Sequence, residues 1–147
     1  MKTIITLSLL LLSIISLAQT NQVVGDYIIT LGKQEKHHIE YKLSLKEDGT
    51  FFFHSYSNNS QGIPNEVNIY GKGTWKIEKN VVHFFADKKK DINEKYSLDF
   101  NNSKARFISK SPRDKTDRVI KTCLQFFNSK IFWIKRLRIF KKNSIQL

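Results

Sequence analysis

Four histidines and one cysteine are the side chains best suited to hold a metal or attack a substrate: His37, His38, His54, His83 and Cys123. Neutral imidazole is a good zinc ligand, but two ligands on one strand must stand two residues apart to share a face. His37 and His38 are adjacent, so extended backbone sends them to opposite faces, and no cysteine or carboxylate stands at metal-ligand spacing beside them. A metal site would have to be assembled across strands, and none is expected. Cys123 would be a nucleophile only if a histidine were brought to it. Alternation places it on an outward face with Lys121 and Gln125, where nearby cations would lower its pKa modestly, and as the lone cysteine it forms no intramolecular disulfide. No Gly-x-Ser-x-Gly elbow, phosphate-binding loop, His-Glu-x-x-His or zinc-ribbon spacing occurs, and Glu47-Asp48 belong to a turn. The local chemistry points away from an enzyme, and no cofactor is expected.

The remaining chemistry is electrostatic. Of the net charge of +12, residues 19–102 contribute nothing, with eleven Lys/Arg against eleven Asp/Glu, whereas residues 103–147 carry thirteen against two. Such a block attracts anionic lipid or acidic polysaccharide through its summed field rather than through one pocket. Arg136, Arg138, Lys141 and Lys142 are the candidate anion-binding surface, and the aromatic-basic stretch Phe126 to Lys142 offers Trp133 to a lipid interface. Nucleic acid is not expected as a partner. A solvated outer sheet face whose lysines discourage edge-to-edge aggregation accounts for the same charges without a ligand, and core packing accounts for the aromatics.

The elements that position these residues are read from spacing. Lys2, the apolar stretch Ile4 to Leu17 and the small-x-small pattern Ser16-Leu17-Ala18 predict a secretory signal peptide over 1–18, with export to the periplasm or beyond. A stretch this short spans a ~30 Å bilayer poorly, so no transmembrane segment is expected in the mature chain. Residues 19–147 then suffice for one domain with its own core. Val23 to Leu31 alternates as a first strand, Ile39 to Leu45 as a second, and Thr50 to Tyr56 returns after Asp48-Gly49, the clearest hairpin. Ser57 to Asn68 reads as a long loop. Ile69 to Ile77 and Val81 to Ala86 flank Glu78-Lys79-Asn80, and Gly71 and Gly73 suit a bulge or sharp coiling. Lys95 to Phe100 and Lys104 to Ser109 predict a third hairpin about Asn101-Asn102-Ser103. After Pro112, Arg118 to Phe127 and Lys130 to Lys141 read as strands, the latter irregular at Lys135. Helical spacing of Leu124, Phe127, Ile131, Ile134 and Leu137 competes there. Eight or nine consecutive antiparallel strands imply an all-β up-and-down meander, most simply closed into a barrel, with a sandwich as the alternative.

Gly25-Asp26-Tyr27 resembles the Gly-x-Trp or Gly-x-Tyr opening of lipocalin-like barrels. Leu45-Lys46-Glu47-Asp48-Gly49-Thr50-Phe51 and Gly73-Thr74-Trp75-Lys76-Ile77 are similar to repeats in small exported lipocalin-like proteins of Bacteroidota. The resemblance implies a closed barrel whose interior holds a small hydrophobic ligand, with Tyr27, Tyr41, Leu43, Phe52, Trp75 and Phe85 as the pocket residues. It also implies that a late basic residue, Arg136 or Arg138, packs over Tyr27 beside Gly25 to close the barrel end. A barrel of this size is alternatively filled by its own Phe and Trp side chains.

Overall fold

A computed structural model describes residues 20–33 and 35–143, so the predicted leader over 1–18 lies outside the described residues. The strands are β1 (Gly25–Lys33), β2 (His37–Leu45), β3 (Thr50–Asn59), β4 (Glu66–Glu78), β5 (Val81–Phe85), β6 (Lys104–Ile108), β7 (Cys123–Asn128) and β8 (Arg138–Lys141). Each pairs antiparallel with the next, and β1 pairs with β8, so the sheet closes as an eight-stranded meander barrel. The all-β, lipocalin-like architecture expected above is what forms. Among the described residues, no helix is long and apolar enough to cross a membrane.

Turn chemistry sets the hairpins. Asp48 Oδ1 accepts from the Thr50 amide at 2.9 Å and hydroxyl at 2.6 Å, while Gly49 takes a φ of 81°. The β4–β5 turn places Lys79 and Asn80 at φ 48° and 63°, the pair of left-handed residues that a two-residue type I′ connection needs. β3 and β4 extend further than alternation alone suggests, which shortens the predicted Ser57 to Asn68 loop to residues 60–65. Their register runs evenly from Thr50↔Thr74 to Asn58↔Glu66, so Gly71 and Gly73 mark no bulge. They instead leave room inside: a Cβ on Gly71 would lie 2.7 Å from the Phe100 ring.

One predicted strand is absent and another is cut short. Lys95 to Phe100 forms no strand, and the third hairpin does not exist; β6 pairs with β5 and β7. Side chains in this connection satisfy the backbone locally. Asn93 Oδ1 accepts from the amides of Lys95 and Tyr96, and Asp99 Oδ1 from that of Asn101, in competition with any ladder. The segment then runs beside β4, with the Leu98 amide donating to the Tyr70 carbonyl at 3.2 Å. Between Lys130 and Lys141 only β8 is a strand, and residues 132–136 are turns rather than the strand or helix that spacing allowed. The Ser129 hydroxyl caps the Ile131 amide, Ile134 and Leu137 amides reach back three residues, and Arg136 takes a φ of 82°. This turn sends Trp133 and Ile134 inward together, which a strand's alternation forbids.

Candidate functional site

Cross-strand register stacks the inner face of β1–β4 in four rows. The lowest is Gly25, Leu45, Phe51 and Gly73; above it stand Tyr27, Leu43, Phe53 and Gly71, then Ile29, Tyr41, Ser55 and Ile69, and finally Leu31, Ile39, Ser57 and Val67. Burial falls along this axis. Leu45, Phe51, Tyr27, Leu43 and Phe53 are buried, whereas Leu31 and Val67 in the top row are 40% and 38% exposed.

The lower end is sealed by the helical turn before β1 and by the end of β8. The Tyr27 hydroxyl donates to the Val23 carbonyl at 2.6 Å, with Val23 fully buried in the helical turn 20–23. Lys141, the register partner of Tyr27, donates from Nζ to the Gln22 carbonyl at 2.6 Å. Its Cε lies 2.9 Å from where a Cβ on Gly25 would stand. Burial pushes the Tyr27 phenol pKa well up and draws the Lys141 ammonium pKa down. The closing base beside Gly25 and Tyr27 is therefore Lys141, and not Arg136 or Arg138 as the resemblance implied. Arg136 stands exposed on the 132–136 turn, and Arg138 points outward to Gln125 Oε1 at 3.1 Å, because β8 enters the sheet with Ile139 and Lys141 on the inner parity.

The body of the barrel is filled with rings. Phe100 drops in from the β5–β6 connection, with its centroid 5.2 Å from Phe51, 5.0 Å from Phe53, 6.0 Å from Phe84 and 6.4 Å from Phe126. Above this layer the 132–136 turn contributes Trp133, stacked on Tyr41 at 5.3 Å and tilted against Phe53 at 6.0 Å, while Ile134 is fully buried. Above the Trp133–Tyr41 stack, the top-row side chains of the inner face, Leu31 and Val67, are open to water.

Of the predicted pocket residues, Tyr27, Tyr41, Leu43 and Trp75 face inward but serve as core. Trp75 donates from Nε1 to the Lys46 carbonyl at 3.1 Å, at the closed end. Phe52 and Phe85 are outward-facing: Lys46 Nζ lies 4.9 Å over the Phe52 ring and Lys76 Nζ 5.4 Å over Phe85. The β2–β3 turn pairs Leu45 with Phe51, so strict alternation turns Phe52 out. The inward partners that sequence reasoning missed are Phe51, Phe53, Phe84 and Phe100, whereas Phe126 faces inward beside Leu124 as alternation around Cys123 implies. Leu45 facing Phe51 across the short Asp48-Gly49 turn was the available signal for the first two.

The anion-binding quartet does not form one face. Lys141 is half-buried at the seal, the Lys142 amide donates to the Asp26 carbonyl at 2.7 Å, and Arg138 borders an outer groove with Ile108, Val119, Cys123 and Phe140. Cys123 lies buried in that groove's floor, and desolvation raises its thiol pKa despite Arg138, which reverses the expected lowering. His37 Nε2 lies 3.2 Å from the Ser57 hydroxyl and His54 Nε2 2.8 Å from Asn68 Oδ1. Among the described residues, no three His, Cys, Asp or Glu side chains gather as a metal site. No protein-family model matches the chain, and no curated protein matches it.

Proposed function

We propose that the chain is an exported, non-enzymatic binding protein that takes the apolar part of a small ligand at the mouth of its barrel, above a body filled by its own rings. The supporting observation is the half-exposed top row, Leu31, Ile39 and Val67, over the Trp133–Tyr41 stack. Apolar side chains on a concave inner wall gain by exchanging water for ligand surface, at roughly 25 cal/mol per Å². Because the rings of Phe51, Phe53, Phe100 and Trp133 occupy the barrel below, a single acyl or aryl group fits this seat better than a molecule needing full enclosure.

Titration with anilinonaphthalene sulfonate reads this proposed seat directly. Leu31→Glu and Val67→Glu place carboxylates on positions already open to water, so folding tolerates them, and probe affinity is expected to fall about tenfold for each. Unchanged affinity in both variants would reject the mouth as the seat. The reading through Arg136, Arg138, Lys141 and Lys142 as one anionic surface is less supported, since Lys141 is committed to Gln22.

A further inference from the structure

A meander barrel puts every second connection at the same end, so the β1–β2, β3–β4, β5–β6 and β7–β8 connections all surround the mouth. Two of them carry a large apolar side chain held out in water: Ile63 on β3–β4 is 101% exposed, and Phe132 on β7–β8 is 90% exposed. Folding gains nothing from either exposure. Trp133, the aromatic that sequence offered to a lipid interface, is turned into the barrel by the same turn that turns Phe132 out.

Along the β7–β8 connection that bears Phe132, the charge is of one sign. Between Ser129 and Leu137 the chain bears Lys130, Lys135 and Arg136 and no carboxylate. Lys130 lies 3.5 Å from Asp99, but Lys135 and Arg136 have no ion pair among the described residues. Lys33 and Lys36 on the β1–β2 side are likewise unpaired, with Glu35 between them. Isolated apolar tips on separate loops, with basic residues in excess of carboxylates on the connections around them, suit a fluid anionic surface that closes around each tip. They suit a protein partner less, because the two tips stand on separate connections rather than on one strand face. A solvated polysaccharide would leave Ile63 and Phe132 as wet as before.

We propose that the mouth end docks on an anionic lipid bilayer, with Phe132 and Ile63 entering the acyl boundary and Lys33, Lys36, Lys135 and Arg136 facing the headgroups. The reading stands apart from the proposed ligand binding above the Trp133–Tyr41 stack, which uses other side chains. Flotation of the processed protein with vesicles of phosphatidylcholine, with and without phosphatidylglycerol, is the test. Binding is expected only with the anionic lipid and should fade as salt rises. Phe132→Ser and Ile63→Ser should each weaken it about tenfold. Both sites are exposed, so the variants keep the fold, which circular dichroism checks. Val119→Ser, equally exposed but on the β6–β7 connection at the opposite end, should bind as the parent does. Equal binding by the Phe132 and Ile63 variants, equal loss in the Val119 variant, equal binding to neutral vesicles, or no binding by the parent would each overturn the proposal. Loss of vesicle binding with unchanged probe affinity would uphold it whatever becomes of the ligand reading.

Discussion

Replacing Phe100 with alanine tests whether the barrel body is filled as described. The side chain is fully buried, four aromatic rings surround it within 6.4 Å, and Gly71 presses against its edge. Phe51, Phe53, Phe84 and Phe126 are held by strands, so little collapse can follow truncation. A ring-sized void of roughly 100 Å³ costs about 2.4 kcal/mol at about 24 cal/mol per Å³, and lost transfer adds about 2 kcal/mol. The expected loss is therefore about 4 kcal/mol. For a domain of this size that lowers Tm by about 12–18 °C. Urea unfolding followed by tryptophan fluorescence measures it, and benzene should stabilise the variant but not the parent, because an engineered apolar void binds such ligands. A loss under about 1 kcal/mol, or equal stabilisation of the parent by benzene, would show that the interior is open and that this packing argument is wrong.

Three further outcomes follow from local geometry. Lys79→Asn with Asn80→Gly supplies the residues a type I′ turn prefers at two left-handed positions and should raise stability by about 0.5–1 kcal/mol in urea melts; a decrease would refute the turn argument. Tyr27 and Tyr41 both have phenol pKa values raised by burial, so the unfolded chain releases these protons first as pH climbs. Their contribution is complete below pH about 10 and is lost above it, at up to about 1.4 kcal/mol per pH unit for each group, and Tyr27→Phe should flatten that alkaline decline. Iodoacetamide should label Cys123 at least about a hundredfold more slowly in the native protein than in urea, given its burial and raised pKa; rapid native labelling would contradict its placement.

Much of the architecture was readable because local chemistry and global topology agree. Asp48-Gly49 and Lys79-Asn80 announce hairpins, and alternation from Ile39 to Leu45 gives a face that the sheet keeps. The failures share a cause, since each needed register or a third dimension. Phe51-Phe52-Phe53 is apolar on both faces, and only the Leu45↔Phe51 pairing chooses between them. Leu98 and Phe100 look like alternate positions of a strand, yet Asn93 and Asp99 bend the backbone on either side of them while Phe100 is drawn inside. The late basic residue at the barrel end was foreseeable in kind, but its identity as Lys141 rests on the Tyr27↔Lys141 pairing, which no spacing reveals. The Trp133–Tyr41 stack was hidden for the same reason, because Trp133 reaches it only through a turn that neither periodicity describes.

The seam between β1 and β8 rests on two paired positions, Tyr27↔Lys141 and Ile28↔Phe140, while β1 and β2 share nine. Joining residues more than a hundred positions apart is entropically the hardest step of a meander and the last to become possible as the polypeptide is made. Until Lys141 arrives, the growing ribbon has two raw edges and an uncovered oily lining. The final strand thus acts as a latch, and a nascent chain halted before it would be open to strand exchange with its neighbours.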